Sequence, residues 1–255
     1  MTDLTKMRTW AEVDLDALEH NYRALRAMAP AGCRFLGLVK ADAYGHGAVP
    51  VARKLEHLGA DMLAVACLEE ARELRLGGIG LPILCLGATP VQLADQLLEW
   101  KVTQTVGDWE TGRELSDAAL RAGGRLKIHL KLDTGMGRLG FLWRGGEDNA
   151  QTAEEMAALC ALPGLEAEGM FTHFADADSN EAYTMEQLTK FLDARAALEE
   201  RGVRLSIYHC GASAAVLHYP CTHMDMLRPG IALYGYYPDP RLGDWTGRGW
   251  SRCCG

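Results

Sequence analysis

Phe35-Leu-Gly-Leu-Val-Lys40-Ala-Asp-Ala-Tyr44-Gly-His-Gly47 is the stretch on which the reading of this chain turns. Its first five residues are an apolar run, long enough for one buried strand. The run ends in a lysine. A glycine-rich turn follows, and a helical pattern opens near Val49. A lysine at the end of a buried parallel strand stands at the mouth of an α/β fold, half desolvated. Desolvation disfavours the ammonium, so a neutral, nucleophilic amine is expected near neutral pH, as in lysines that form Schiff bases. The plainer alternative is a lysine reaching from a strand end to solvent, with Gly45 and Gly47 only turning the chain.

Working outward, strand and helix signals alternate. Before the stretch, Trp10-Ala-Glu-Val-Asp-Leu15 alternates apolar and acidic residues as an exposed strand or lead-in. Leu15, Leu18, Tyr22, Leu25 and Met28 then fall at helical spacing, closed by Pro30. Apolar runs predict strands over 35–39, 62–66, 83–86, 102–106, 126–132, 165–171, 205–209 and 225–233. Helices are expected over 49–58, 68–76, 90–99, 108–122, 147–161, 181–201 and 212–218. Strict alternation of this kind favours an α/β fold of the (β/α)8 TIM-barrel type over an open doubly wound sheet. One barrel domain over 1–240 and an aberrant tail over 241–255 are the expected organisation.

Composition narrows the function classes. The 255 residues are 48% hydrophobic, ample for a core, and the net charge is −8 with no basic run. Nucleic acid is therefore not an expected partner. No apolar signal core and no bilayer-length stretch is present, so a cytoplasmic protein without a membrane partner is expected. Eight cysteines are scattered, and no pair shares metal-site spacing with a second pair. Reduced thiols and no metal site are expected.

In such a barrel the functional groups belong at the C-terminal ends of the strands, with phosphate beside the last two. Four further runs fall there. Lys131-Leu-Asp-Thr-Gly135-Met-Gly137-Arg138-Leu-Gly140 follows the fifth strand. Its guanidinium suits a carboxylate, which it grips through two parallel hydrogen bonds; the alternative is a loop that merely turns. Gly169-Met-Phe-Thr172-His173-Phe174-Ala ends the sixth strand, with His173 either a core histidine or a site residue. His209-Cys-Gly211-Ala212-Ser213-Ala-Ala215 follows the seventh. Its hydroxyl and helix-start amides would make an anion site or an ordinary cap. Met226-Leu-Arg228-Pro-Gly230-Ile231-Ala-Leu-Tyr234-Gly belongs to the eighth, where Arg228-Pro-Gly could also be a surface turn.

These runs together resemble the alanine racemases, fold-type III enzymes that use pyridoxal 5′-phosphate (PLP). The similarity extends from about Trp10 to about Pro238 and is densest at Val39–Gly47 and Lys131–Gly140. It implies PLP held covalently on Lys40, with phosphate contacts from Tyr44, Ser213, Gly230 and Ile231. It places Arg138 on the cofactor's phenolic oxygen and the substrate carboxylate, His173 beside the pyridine ring, and Arg228 on the ring nitrogen. Lys40, Arg138 and His173 are then the catalytic set. In part of the family the residue matching Lys131 is carbamylated; a plain structural lysine is the alternative. The family usually has Asn before the serine, where this chain has Ala212.

The implied reaction interconverts L- and D-alanine, supplying D-alanine for peptidoglycan, in a homodimer. A serine racemase of the same family is an alternative, as is a non-catalytic PLP-binding barrel protein of the vitamin B6 homeostasis type. A third is an inert truncated fragment. The family continues into a β-rich C-terminal domain whose tyrosine serves as second base in the partner's site. Here the pattern decays after Asp239 into Asp244-Trp-Thr-Gly-Arg-Gly-Trp-Ser-Arg-Cys-Cys-Gly255, which resembles the product of a shifted reading frame. Tyr183, Tyr208, Tyr234, Tyr236 and Tyr237 are the tyrosines left for a second base.

Overall fold

The expected strands form, several of them shorter than the apolar runs. The computed structural model describes residues 9–144, 148–238 and 253, so the tail expected from 241 lies outside the described residues but for Cys253. The strands are β1 (Arg34–Leu38), β2 (Met62–Val65), β3 (Ile83–Cys85), β4 (Val102–Val106), β5 (Leu126–Asp133), β7 (Leu165–Phe171), β8 (Ile207–His209) and β9 (Met226–Leu227). They pair in the order β8-β7-β5-β4-β3-β2-β1-β9, and every pairing is parallel. A further two-residue strand, β6 (Phe141–Leu142), adds to the end of β5 and has no counterpart in the expected alternation.

The barrel closes between β8 and β9 without a regular ladder. The Asp225 amide donates to Tyr208 O at 3.1 Å, and the Arg228 amide donates to Gly211 O at 3.0 Å. The Tyr208 amide in turn donates to the Asp225 carboxylate at 2.8 Å. The eighth expected strand, 225–233, is therefore corrected: regular pairing stops at Leu227. Pro229 has no amide to extend a ladder, and Ile231–Tyr234 coils into a 3-10 helix. The helix expected over 90–99 likewise opens with a 3-10 turn, Val91–Leu93, before Ala94–Glu99.

Alternation along each strand makes two cores. Phe35, Leu63, Val65, Ile83 and Tyr208 face the surrounding helices. Leu36, Leu38, Met62, Leu84, Ile207 and Met226 make a separate cluster inside the barrel. On β5 the apolar residues Ile128, Leu130 and Leu132 belong to the outer core. That leaves His129, Lys131 and Asp133 on the inner face, where all three are buried. Half of the interior is thus hydrocarbon and half carries hydrogen-bonding groups.

The segment after β1 has an unusual backbone. Ala41, Asp42, Ala43 and Tyr44 all have φ between 51° and 56°, so Lys40–Gly45 is a left-handed helical turn built without glycine at its centre. Such a conformation costs roughly 1–2 kcal/mol per L-residue. It is held from several sides. Glu70 accepts from the Ala41 amide at 2.8 Å and from the Ala66 amide at 2.7 Å. Asp42 accepts from the Ala48 amide at 2.6 Å, where the helix Ala48–His57 begins. Ala43 is fully buried. Among the described residues no helix is long and apolar enough to cross a membrane, and the seven described cysteines are free thiols.

Candidate active site

The turn after β1 throws Lys40 and Tyr44 over the C-terminal end of the barrel, where the loops after β7, β8 and β9 meet them. Lys40, Tyr44, His173, Ser213, Gly230 and Ile231 line one cleft of about 280 Å³ there. They come from four separate places in the chain. The structure also brings Met136, Phe174, Asp178 and Pro238 to the cleft wall. Met136 and Phe174 lie within runs already singled out at strand ends, whereas no motif in the sequence discloses Asp178 or Pro238.

The base of the cleft is tightly fitted. Ser213 Oγ accepts from the amides of Gly230, at 2.9 Å, and Ala232, at 3.2 Å. A Cβ at position 230 would lie 2.7 Å from the Tyr44 hydroxyl, so only glycine lets that hydroxyl reach the same place. Tyr44 packs against Tyr234 with ring centroids 5.1 Å apart, and Tyr234 donates to Leu38 O at 2.7 Å. The Tyr44 and Ser213 hydroxyls and the Gly230–Ile231 backbone meet on this side of the cleft, an arrangement that suits a small anion.

Around this base lie the cations. Burial, then the charge of Arg138, lowers the Lys40 pKa from its ordinary value; Glu70 opposes and Arg228 assists. The desolvated amine read from the sequence is thus what the fold produces. Lys131, on the inner face of β5, is pushed down to about 7, by burial first and then by Arg228. Its Nζ donates to Leu132 O at 2.8 Å. His173 falls to about 3, through burial and then Arg228, Arg138, Lys131 and Lys40. A neutral imidazole is the result at any ordinary pH.

Arg228 is fully inside, not in a surface turn. Its Nη2 donates to Thr172 O at 2.6 Å and Cys210 O at 3.0 Å, and its guanidinium lies 5.2 Å from the Phe171 ring centre. Its Nε is buried without a hydrogen-bond partner among the described residues. Arg138 sits on the loop after β5 and is exposed, and its charge acts on Lys40, Lys131, His173 and Arg228. Of the tyrosines offered as second base, Tyr183 donates to Gly135 O at 2.8 Å. Tyr208 accepts from the Leu205 amide at 3.2 Å, and Tyr234 is held as above. These three are engaged away from the cleft.

A cleft lined by a lysine of lowered pKa, with the Tyr44 and Ser213 hydroxyls on it and the buried Arg228 close enough to act on His173 by charge, suits a phosphorylated aldehyde. The amine would take the carbonyl carbon and the orphaned Nε–H an acceptor. The unpaired Arg228 donor and the close approach of the Tyr44 hydroxyl to Gly230 are the features that fit PLP.

Comparison with known proteins agrees. The family model described as "Alanine racemase, N-terminal domain" matches residues 13–238. The chain is 45% identical to the alanine racemase of Desulforamulus reducens over 235 residues, which are 91% of this chain and 62% of that protein. It is 47% identical to that of Desulfovibrio desulfuricans, covering 90% of this chain and 60% of the other. Among solved structures, alanine racemase of Clostridium difficile 630 superposes with a TM-score of 0.91 at 37% identity. That match covers 98% of this chain and 64% of the other. The chain thus spans about three fifths of the length of the curated relatives it matches.

Proposed function

This chain belongs to the alanine racemase N-terminal domain family, and on that premise we propose that it is the PLP-binding barrel of a racemase interconverting L- and D-alanine. The observation that carries the reading is one lysine of lowered pKa on a cleft whose floor is an anion seat. Lys40 would hold PLP covalently, and Tyr44, Ser213, Gly230 and Ile231 would surround the phosphate. Arg228 would face the ring nitrogen. When bound, PLP supplies an electron sink for a carbanion at the substrate's α-carbon. An arginine opposite the ring nitrogen gives up no proton to it, which weakens the sink and shortens the carbanion's life. That favours return of a proton over transamination.

The chain's own residues then divide the work. Lys40, as a free amine, would be the base on its side of the α-carbon. Arg138 holds the carboxylate through its planar fork. His173, on the cleft wall and neutral, would flank the cofactor without adding charge. Lys131, with its pKa lowered to about 7, has a substantial neutral fraction near pH 7, with Arg228 and Arg138 in electrostatic reach. Those are conditions for a carbamate, whose negative charge would steady Arg138. Supply of D-alanine to peptidoglycan, a cytoplasmic location and a homodimer are part of the same reading.

Proton NMR of L-alanine in heavy water, with this chain and PLP, tests it. Loss of the α-proton signal that a Lys40→Ala variant abolishes is the expected outcome. No exchange above that of free PLP would leave the vitamin-B6-type binding protein as the better reading.

A further inference from the structure

Helix Glu181–Glu200 lies behind the cleft, and one buried side chain of it touches both functional loops. Gln187 is fully buried. Its Oε1 accepts from the Ala175 amide at 2.9 Å, two residues past His173. Its Nε2 donates to Thr134 Oγ1 at 3.2 Å, at the root of the loop that carries Arg138. An amide hydrogen must meet an oxygen, so Ala175 fixes which end of the Gln187 amide points where.

The bonds beyond Thr134 run one way. Thr172 Oγ1 donates to Leu132 O at 2.9 Å. Having spent its only hydrogen, it must accept at the 2.9 Å contact with Thr134 Oγ1. Thr134 therefore donates to Thr172 and accepts from Gln187. The series Gln187 to Thr134 to Thr172 to Leu132 O uses each hydroxyl hydrogen once. Its terminal carbonyl also receives Lys131 Nζ, and the Thr172 carbonyl receives Arg228. One turn earlier on the same helix, Tyr183 donates to Gly135 O. Gly135 and Gly137 donate to Asp133 Oδ1 at 2.9 and 3.0 Å, which shapes the loop itself.

We propose that Gln187 is a positioning residue: through Thr134 and Thr172 its amide locks the Arg138 loop to the His173 segment in the arrangement that receives the substrate carboxylate. The lock stands on the bonds above; what it serves rests on the racemase reading.

Amide hydrogen exchange of the cofactor-free protein, followed by NMR, tests the lock. Gln187→Glu keeps the acceptor for Ala175 and loses the donor to Thr134. Thr134→Val, nearly isosteric, breaks the series from its other side without a buried charge. In both, exchange at Gly135 and Gly137 should quicken about tenfold, a local opening of the loop, while Ala175 and strands β1 to β4 keep their protection. Unchanged Gly135 and Gly137 in Thr134→Val would overturn the proposal. With PLP, the KM for alanine should rise about tenfold in Thr134→Val with a smaller change in kcat, because ground-state placement of Arg138 is what is lost. Absence of α-proton exchange in the unsubstituted protein would overturn the racemase reading alone, and the amide exchange would still decide the lock.

Discussion

Lys40 is the residue that local sequence and tertiary structure describe in the same way. The apolar run that ends in it foretells burial, and burial is the first cause of its lowered pKa. Gly230 is a sharper test of the anion seat. Gly230→Ala puts a methyl 2.7 Å from the Tyr44 hydroxyl, which must swing aside, so PLP affinity should fall about tenfold or more with a smaller loss of stability, measured by titration and thermal melting. Lys131 gives a pH signature. Its folded pKa is about 7 against an ordinary 10.5, so between those values the unfolded chain binds more protons. Stability therefore rises with pH from about 7 toward 10.5. Urea melts at pH 7 and 9 should show the rise, and Lys131→Met should flatten it. His173 and Ser213, which line the cleft with Lys40, could be placed beside it from the sequence because each stands in a contiguous run at a strand's end; Arg138 and Arg228 stand in such runs too, and reach Lys40 by charge. Gln187 was not legible: it lies in an ordinary helical pattern, and only the fold shows what it touches.

At the scale of elements, the barrel strands were legible because parallel strands buried on both faces read as apolar runs. β5 differs, since its inner face is His129, Lys131 and Asp133, all buried. The left-handed turn was illegible for a physical reason. Ala-Asp-Ala-Tyr contains no residue that seeks positive φ strongly, and the conformation is imposed by Glu70, Asp42 and the burial of Ala43. Asp42→Ala removes the acceptor that starts the helix Ala48–His57. A loss of about 1–2 kcal/mol in denaturant melts is expected, with Tyr44 displaced and PLP bound more weakly. β6 and the early end of β9 escaped for want of length: two-residue pairings carry no periodicity.

For the whole molecule, the described residues place one amine on the cleft, while none of Tyr183, Tyr208, Tyr234, Tyr236 and Tyr237 lines it. Deuterium uptake into L-alanine with retention should therefore outrun inversion, and chiral analysis of the labelled product checks this. The ring of strands has a further consequence, for the order in which the protein can be made. β1 is flanked on one side by β2, its near neighbour in the chain, and on the other by β9, in the register Arg34 to Met226. Until that distant pair of residues leaves the ribosome, the first strand has an open edge, and the loop bearing Ser213 has no Gly230 to receive. Partly synthesised chains are thus sheets with an exposed margin, prone to stick to one another. Synthesis of β9 and the Gly230 loop is the step that shuts the margin and completes the cleft.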